Sequence, residues 1–102
     1  MIIQFNTEQR LTINACKEHG YDISALTPEI DAFKMRLAYL AFKASVDITR
    51  YLPHFDYDQL DEIRLGLLSN LNVSEYAKPE ISAELMHMKR IYLEDKHRFY
   101  VA

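Results

Sequence analysis

The sequence predicts an all-α fold, and three observations carry that prediction. Helix breakers are scarce, with two glycines and three prolines in 102 residues. An apolar residue followed by a helix-capping residue recurs at positions 5, 30, 55 and 81, a period of 25 or 26 residues. Each recurrence opens a proline-free run of helix-forming composition, and a period in this range is the signature of a helical-repeat architecture. A chain of this length suits one domain with one core. The expectation is therefore a single helical-repeat domain over residues 1–102, with copies starting at 5, 30, 55 and 81, arranged as a compact bundle or short solenoid.

The helices follow in order from their caps. Phe5, Ile30, Phe55 and Ile81 are followed by Asn6, Asp31, Asp56 and Ser82, whose side-chain oxygens can accept from the otherwise unpaired amides of a first turn. The expected main helices are about 7–19, 32–44, 57–69 and 83–96. Gln9 and Gln59 stand three residues after their caps, where they complete a capping box. Lys34 and Leu85 hold that column in copies two and four and cannot do so. Ile30/Met35, Phe55/Leu60 and Ile81/Met86 have the spacing of a hydrophobic staple, which Arg10 interrupts in copy one. Gly20 and Asn70 follow the first and third helices as stop residues. Copy three shows its apolar stripe most plainly in Leu60, Ile63, Leu67 and Leu71. Copy two, from Met35 to Phe42, has almost no polar face and should be the most buried helix.

One mid-helix column holds Cys16, Ala41 and Gly66, then Tyr92 in the last copy. Its small side chains mark a place where a neighbouring helix approaches closely. After each of the first three helices comes Asp22-Ile23-Ser24, Asp47-Ile48-Thr49 or Asn72-Val73-Ser74, then Leu26, Tyr51 or Tyr76, then Pro28, Pro53 or Pro79. An Asp or Asn two residues before a hydroxyl suggests a capped single helical turn, which the proline ends. The tail of copy four, residues 97–102, lacks that pattern, as terminal repeats often do.

These residues resemble a known kind of repeat. Gln59-Leu60-Asp61-Glu62-Ile63-Arg64-Leu65-Gly66-Leu67, followed by Leu71-Asn72-Val73-Ser74-Glu75-Tyr76-Ala77-Lys78-Pro79, is similar to the tandem repeats of uncharacterised proteins in Gram-positive, Clostridia-type bacteria and their mobile elements. There a Gln-Met, Ile-Arg, Gly-Leu helix precedes an Asp-Val-Ser, Tyr-Ala segment. The likeness is good in copy three, partial in copy two and loose in copies one and four; Leu85 and Lys89 replace Gln and Ile in copy four, and Asn72 stands for Asp. The resemblance implies an all-α repeat carried on a mobile element, and it supplies no catalytic residues.

Composition narrows the function classes. A net charge of −3 gives no global attraction to phosphate backbones. A single cysteine excludes an intramolecular disulfide, and neither a signal peptide nor a membrane span is evident in the sequence. A cytoplasmic protein that does not engage membranes is the expectation. His54, Asp56 and Asp58 alternate before the third helix, but Asp56 reads as a cap and the spacing fits neither an EF-hand nor a zinc motif. Cys16 and His19 are three residues apart on one helix, yet the small-residue column makes Cys16 a structural thiol. His87 and His97 are ten residues apart, and no metalloprotease, phosphate-loop or nucleophile-elbow motif occurs. The chain is expected to be no enzyme and to need no cofactor or metal.

The most basic stretch is Lys89-Arg90 with Lys96 and Arg98 beyond it and Tyr92 and Tyr100 interleaved, diluted by Glu84, Glu94 and Asp95. Lys89, Arg90, Tyr92, Arg98, Phe99 and Tyr100 form the candidate interaction surface. Stacked helical repeats suit a protein partner, and the apolar end at Phe99 to Val101 either covers the last helix or leaves an edge for a second copy of the chain. A protein-interaction or regulatory module is the preferred reading. A nucleic-acid-binding accessory protein, using the basic stretch on phosphates and bases, is the alternative.

Overall fold

Cap chemistry decides where each helix begins. In the computed structural model, which describes the backbone of residues 4–101 and the side chains of residues 4–96, four α-helices form: α1 Thr7–Glu18, α2 Ala32–Lys43, α3 Tyr57–Leu68 and α4 Ala83–Val101. Two single 3-10 turns join them, η1 Thr49–Tyr51 and η2 Val73–Glu75. No strand occurs among the described residues, and no helix is long and apolar enough to cross a membrane. The chain divides into two units, Met1–Pro53 and His54–Ala102, with α1 on α2 in the first and α3 on α4 in the second.

All four expected caps accept the amide three residues on. Asn6, Asp31 and Asp56 accept from Gln9, Lys34 and Gln59 at 2.8, 2.9 and 2.8 Å, and Ser82 Oγ accepts from Leu85 at 3.2 Å. Both capping boxes close, since the Oε1 atoms of Gln9 and Gln59 accept from the cap amides of Asn6 and Asp56 at 2.8 and 2.9 Å. The same two glutamines then do more than a box requires. Gln9 Nε2 donates to the carbonyls of Pro28 and Ile30 at 3.0 and 2.7 Å. Gln59 Nε2 donates to Pro79 and Ile81 at the same two distances. Each glutamine therefore ties the start of its helix to the segment that leads into the next one. Lys34 Nζ reaches Leu52 O at 3.3 Å in copy two, a weaker version of the same tie.

The first three helices end alike. The amides of Tyr21, Val46 and Leu71 donate back to the carbonyls of Cys16, Ala41 and Gly66 at 3.0, 2.8 and 2.9 Å. The preceding residues, Gly20, Ser45 and Asn70, have φ of 75°, 62° and 59°. This is the Schellman arrangement, in which a left-handed residue turns the chain so that the last carbonyls find donors. The expected ends at residues 19, 44 and 69 are the cap residues His19, Ala44 and Ser69, so each helix is one residue shorter than its pattern suggested. No such stop exists in copy four, and α4 continues past 96 to Val101.

Ser45 is the least suited of the three to its conformation. Left-handed backbone costs a residue with a β-carbon about 1 kcal/mol, whereas glycine adopts it freely. Ser45→Gly is expected to stabilise the protein by about 0.5–1 kcal/mol, read as an increase in the urea midpoint with an unchanged slope. Asn70→Gly should gain less, because asparagine tolerates this region better than serine.

The connectors form as capped turns. The side chains of Asp22, Asp47 and Asn72 accept from the amides of Ser24, Thr49 and Ser74 at 2.9, 2.8 and 3.3 Å. Each turn closes with a bond from Leu26, Tyr51 or Tyr76 to the carbonyl of Ile23, Ile48 or Val73. In copy one the turn is a simple one with no 3-10 helix. Pro28 and Pro79 then sit in turns closed by Ile30 and Ile81, as proline's fixed φ favours.

Met35, Leu37, Ala38, Ala41, Ile48 and Leu52 form the interior of unit 1 with Ile13 and Cys16, while Leu60, Ile63, Val73, Tyr76 and Met86 do so in unit 2. Helix α2 has more buried positions than α1 or α3, yet Phe33 and Leu40 are exposed. The small-residue column is buried, but what approaches Gly66 is the connector of its own copy. A β-carbon there would fall on the Tyr76 hydroxyl and lie 2.7 Å from Val73 Cγ1. At Gly66, therefore, the close neighbour is a returning turn, not the neighbouring main helix the sequence suggested.

Candidate functional site

One helix face changes its environment in copy four. Counting from each opener, columns 0, 4, 7 and 11 hold Phe5, Gln9, Thr12 and Cys16 in copy one, and Phe55, Gln59, Glu62 and Gly66 in copy three. Gln9, Thr12 and Cys16 are buried, and so are Ile30, Leu37 and Ala41 in copy two. The glutamine ties and the Tyr76 approach to Gly66 show what lies against this face: the chain's own next segment. In copy four the same columns hold Ile81, Leu85, Met88 and Tyr92. There Leu85, Met88 and Tyr92 are 55%, 66% and 64% exposed. With Ile81 and Lys89 they line an open apolar groove of about 430 Å³.

The physical reason lies in two residues. Leu85 replaces the glutamine that would tie down a following segment, and Tyr92 fills the position whose small side chain would receive a connector tyrosine. Contiguous exposed apolar surface of this kind is uncommon on a lone domain and is the usual mark of a contact site.

Lys89 and Tyr92 thus share the exposed side of α4, as the sequence proposed. Arg90 does not join them. It is only 9% exposed, and its guanidinium turns toward α3, where Nε donates to Glu62 Oε2 at 2.6 Å, while Nη1 donates to Glu94 Oε1 one turn on along α4 at 2.8 Å. Burial by itself would lower the Arg90 pKa; the hydrogen bonds and charges of Glu62 and Glu94 outweigh it and hold the group above its ordinary value. His87 Nδ1 lies 3.0 Å from Glu62 Oε1, and Ser69 Oγ donates to Glu94 at 3.1 Å. Arg90 is a link between α3 and α4, a role its sequence neighbours Lys89 and Lys96 did not signal. The side chains of Arg98, Phe99 and Tyr100 lie outside the described residues.

In unit 1 the corresponding inter-helix contact is aromatic. Tyr21 stacks on Phe42 and on His19 with centroids 5.0 and 5.3 Å apart, and Tyr39 meets His19 edge-on at 5.7 Å. A shallow groove of about 380 Å³ runs beside it between Leu11, Thr12, Arg36 and Leu40. Unit 2 carries Glu62 and His87 where unit 1 has Thr12 and Arg36, and the 3.0 Å contact between them spans the equivalent position.

The other candidates settle into the scaffold. Asp56 accepts from Gln59 as the α3 cap, and no group of three or more His, Cys, Asp or Glu residues is placed to hold a metal ion among the described residues. Cys16 is fully buried, and burial pushes its thiol pKa up, the opposite of what an activated nucleophile needs. His19 Nδ1 is 2.9 Å from the Ala15 carbonyl of its own helix. No protein-family model matches the chain, and no curated protein or solved structure matches it significantly.

Proposed function

We propose that the chain is a non-enzymatic protein-interaction or regulatory module of the cytoplasm whose contact surface is the outward stripe of α4. The observation that supports this most is the exposure of Leu85, Met88 and Tyr92 in columns that are covered in the other copies. Two of the groups that chemistry would draw on have structural places: Cys16 is buried with a raised pKa and Asp56 caps a helix. A nucleic-acid surface loses Arg90 to Glu62 and Glu94, which removes one of the two adjacent cations from phosphate contact.

The test is capture by a tagged copy from host lysate with and without nuclease treatment, comparing the native chain with Leu85→Glu. Proteins retained by the native chain, including further copies of it, should be lost from the variant. Equal retention by both, or binding that disappears with nuclease alone, would overturn the reading.

A further inference from the structure

We infer that the α4 stripe is a parallel seam for a second copy of the same chain, a step that rests on reading this stripe as the interaction surface. Ile81, Leu85, Met88 and Tyr92 follow one another at intervals of four, three and four residues, the spacing of seam positions in a two-stranded coiled coil. The opposite side of α4 is already used, since Met86 is fully buried and Arg90 is bonded to α3. The stripe is therefore a second, independent packing face on one helix.

Charge selects the partner and its direction. If Leu85 and Tyr92 are taken as the first seam position of each heptad and Met88 as the second, Glu84 and Lys89 flank the seam in the two positions that meet across a parallel pair. Both side chains are exposed, and neither is in an ion pair of the described residues. In a parallel pair Glu84 of each copy meets Lys89 of the other, twice per dimer. In an antiparallel pair Lys89 would face Lys89 at the centre, which is repulsive. A connector-like segment fits poorly, because Leu85 offers no amide to its carbonyls and Tyr92 blocks the pocket that Gly66 provides to Tyr76. Asp95 takes the next seam position and limits the dry contact to the stretch from Ile81 to Tyr92. So short a seam belongs to the small, weak class of interfaces.

Sedimentation equilibrium of the full chain, from roughly 10 µM to 1 mM, covers the range in which such an interface associates. A reversible monomer–dimer equilibrium is expected. Leu85→Glu and Tyr92→Glu, both at exposed positions and checked for unchanged helical circular dichroism, should abolish the dimer. Glu84→Lys or Lys89→Glu alone should weaken it about three- to tenfold, and Glu84→Lys/Lys89→Glu together should restore it. Monomer throughout, or a dimer indifferent to Leu85→Glu, would overturn the second-copy inference. A dimer not weakened by Lys89→Glu, which in an antiparallel pair only exchanges one like-charge contact for another, would overturn the parallel arrangement. Monomer together with capture of another protein that depends on Leu85 would leave the interaction module standing and remove only the self-association.

Discussion

Gly66→Ala is expected to destabilise the protein by about 3 kcal/mol, an effect set by overpacking. The added methyl would sit on the Tyr76 hydroxyl, with Val73 Cγ1 2.7 Å and Tyr76 Cζ 3.1 Å away. Tyr76 is fully buried and its hydroxyl donates to the Glu62 carbonyl at 2.8 Å, so the ring cannot move without breaking that bond. Overpacking of a tight site costs up to about 3 kcal/mol, the lost hydrogen bond adds about 1, and alanine's better helix propensity returns about 1. The last contribution runs against the others, which makes the sign diagnostic: an exposed mid-helix glycine would be stabilised by this change. A double-mutant cycle with Tyr76→Phe sharpens the test. Removing the hydroxyl removes the closest clash and the bond, leaving the Val73 contact, so the double variant should lose less than the two single losses combined. Additive losses in denaturant unfolding would mean that Gly66 and Tyr76 are not in contact.

Gln59→Leu should cost a similar amount, about 3 kcal/mol, for a different reason. The side chain is nearly buried and makes three bonds to the main chain, accepting from Asp56 N and donating to the carbonyls of Pro79 and Ile81. Leucine keeps the volume and deletes all three. Each bond is worth about 1 kcal/mol net, and more if the stranded group stays dry. Gln9→Leu should reproduce the effect in unit 1, where the Pro28 and Ile30 carbonyls play the same parts. The effect should appear in amide exchange as faster opening of the two residues that start each helix. If Gln59→Leu unfolds at the native midpoint, water replaces the amide without loss and the glutamine is not a tie.

Much of the scaffold was legible because it is local. Asn6, Asp31, Asp56 and Ser82 announce helix starts through bonds that span three residues, and the Asp or Asn of each connector bonds two residues on. Gln9 and Gln59 were legible as capping boxes. Their reach across to Pro28 and Pro79 was not, because a long-range acceptor leaves no mark beside the donor. Ser45 was missed as a stop for the opposite reason: serine seldom adopts positive φ, so its neighbours, not its identity, impose it.

The candidate site shows the same division. The exposure of Tyr92 and Lys89 and the interior place of Arg90 depend on which side of α4 meets α3, and the carboxylates that claim Arg90 lie 28 residues before it and four after it. A run of cations in the sequence looks alike whether its members face water or a buried glutamate. Leu85 and Tyr92 did carry a signal, as the two departures from their columns, but its meaning required knowing what those columns hold in the other copies.

Cys16 provides a built-in reporter. It is the chain's only cysteine, and it is completely shielded in unit 1. A thiol reagent can modify it only when the interior around α1 transiently opens, so the labelling rate under native conditions measures the free energy of that opening. Because no thiol exists in residues 54–102, the signal tracks one half of the polypeptide alone. Comparing it with whole-chain unfolding would show whether the halves come apart together or in turn, without adding a dye or altering a residue.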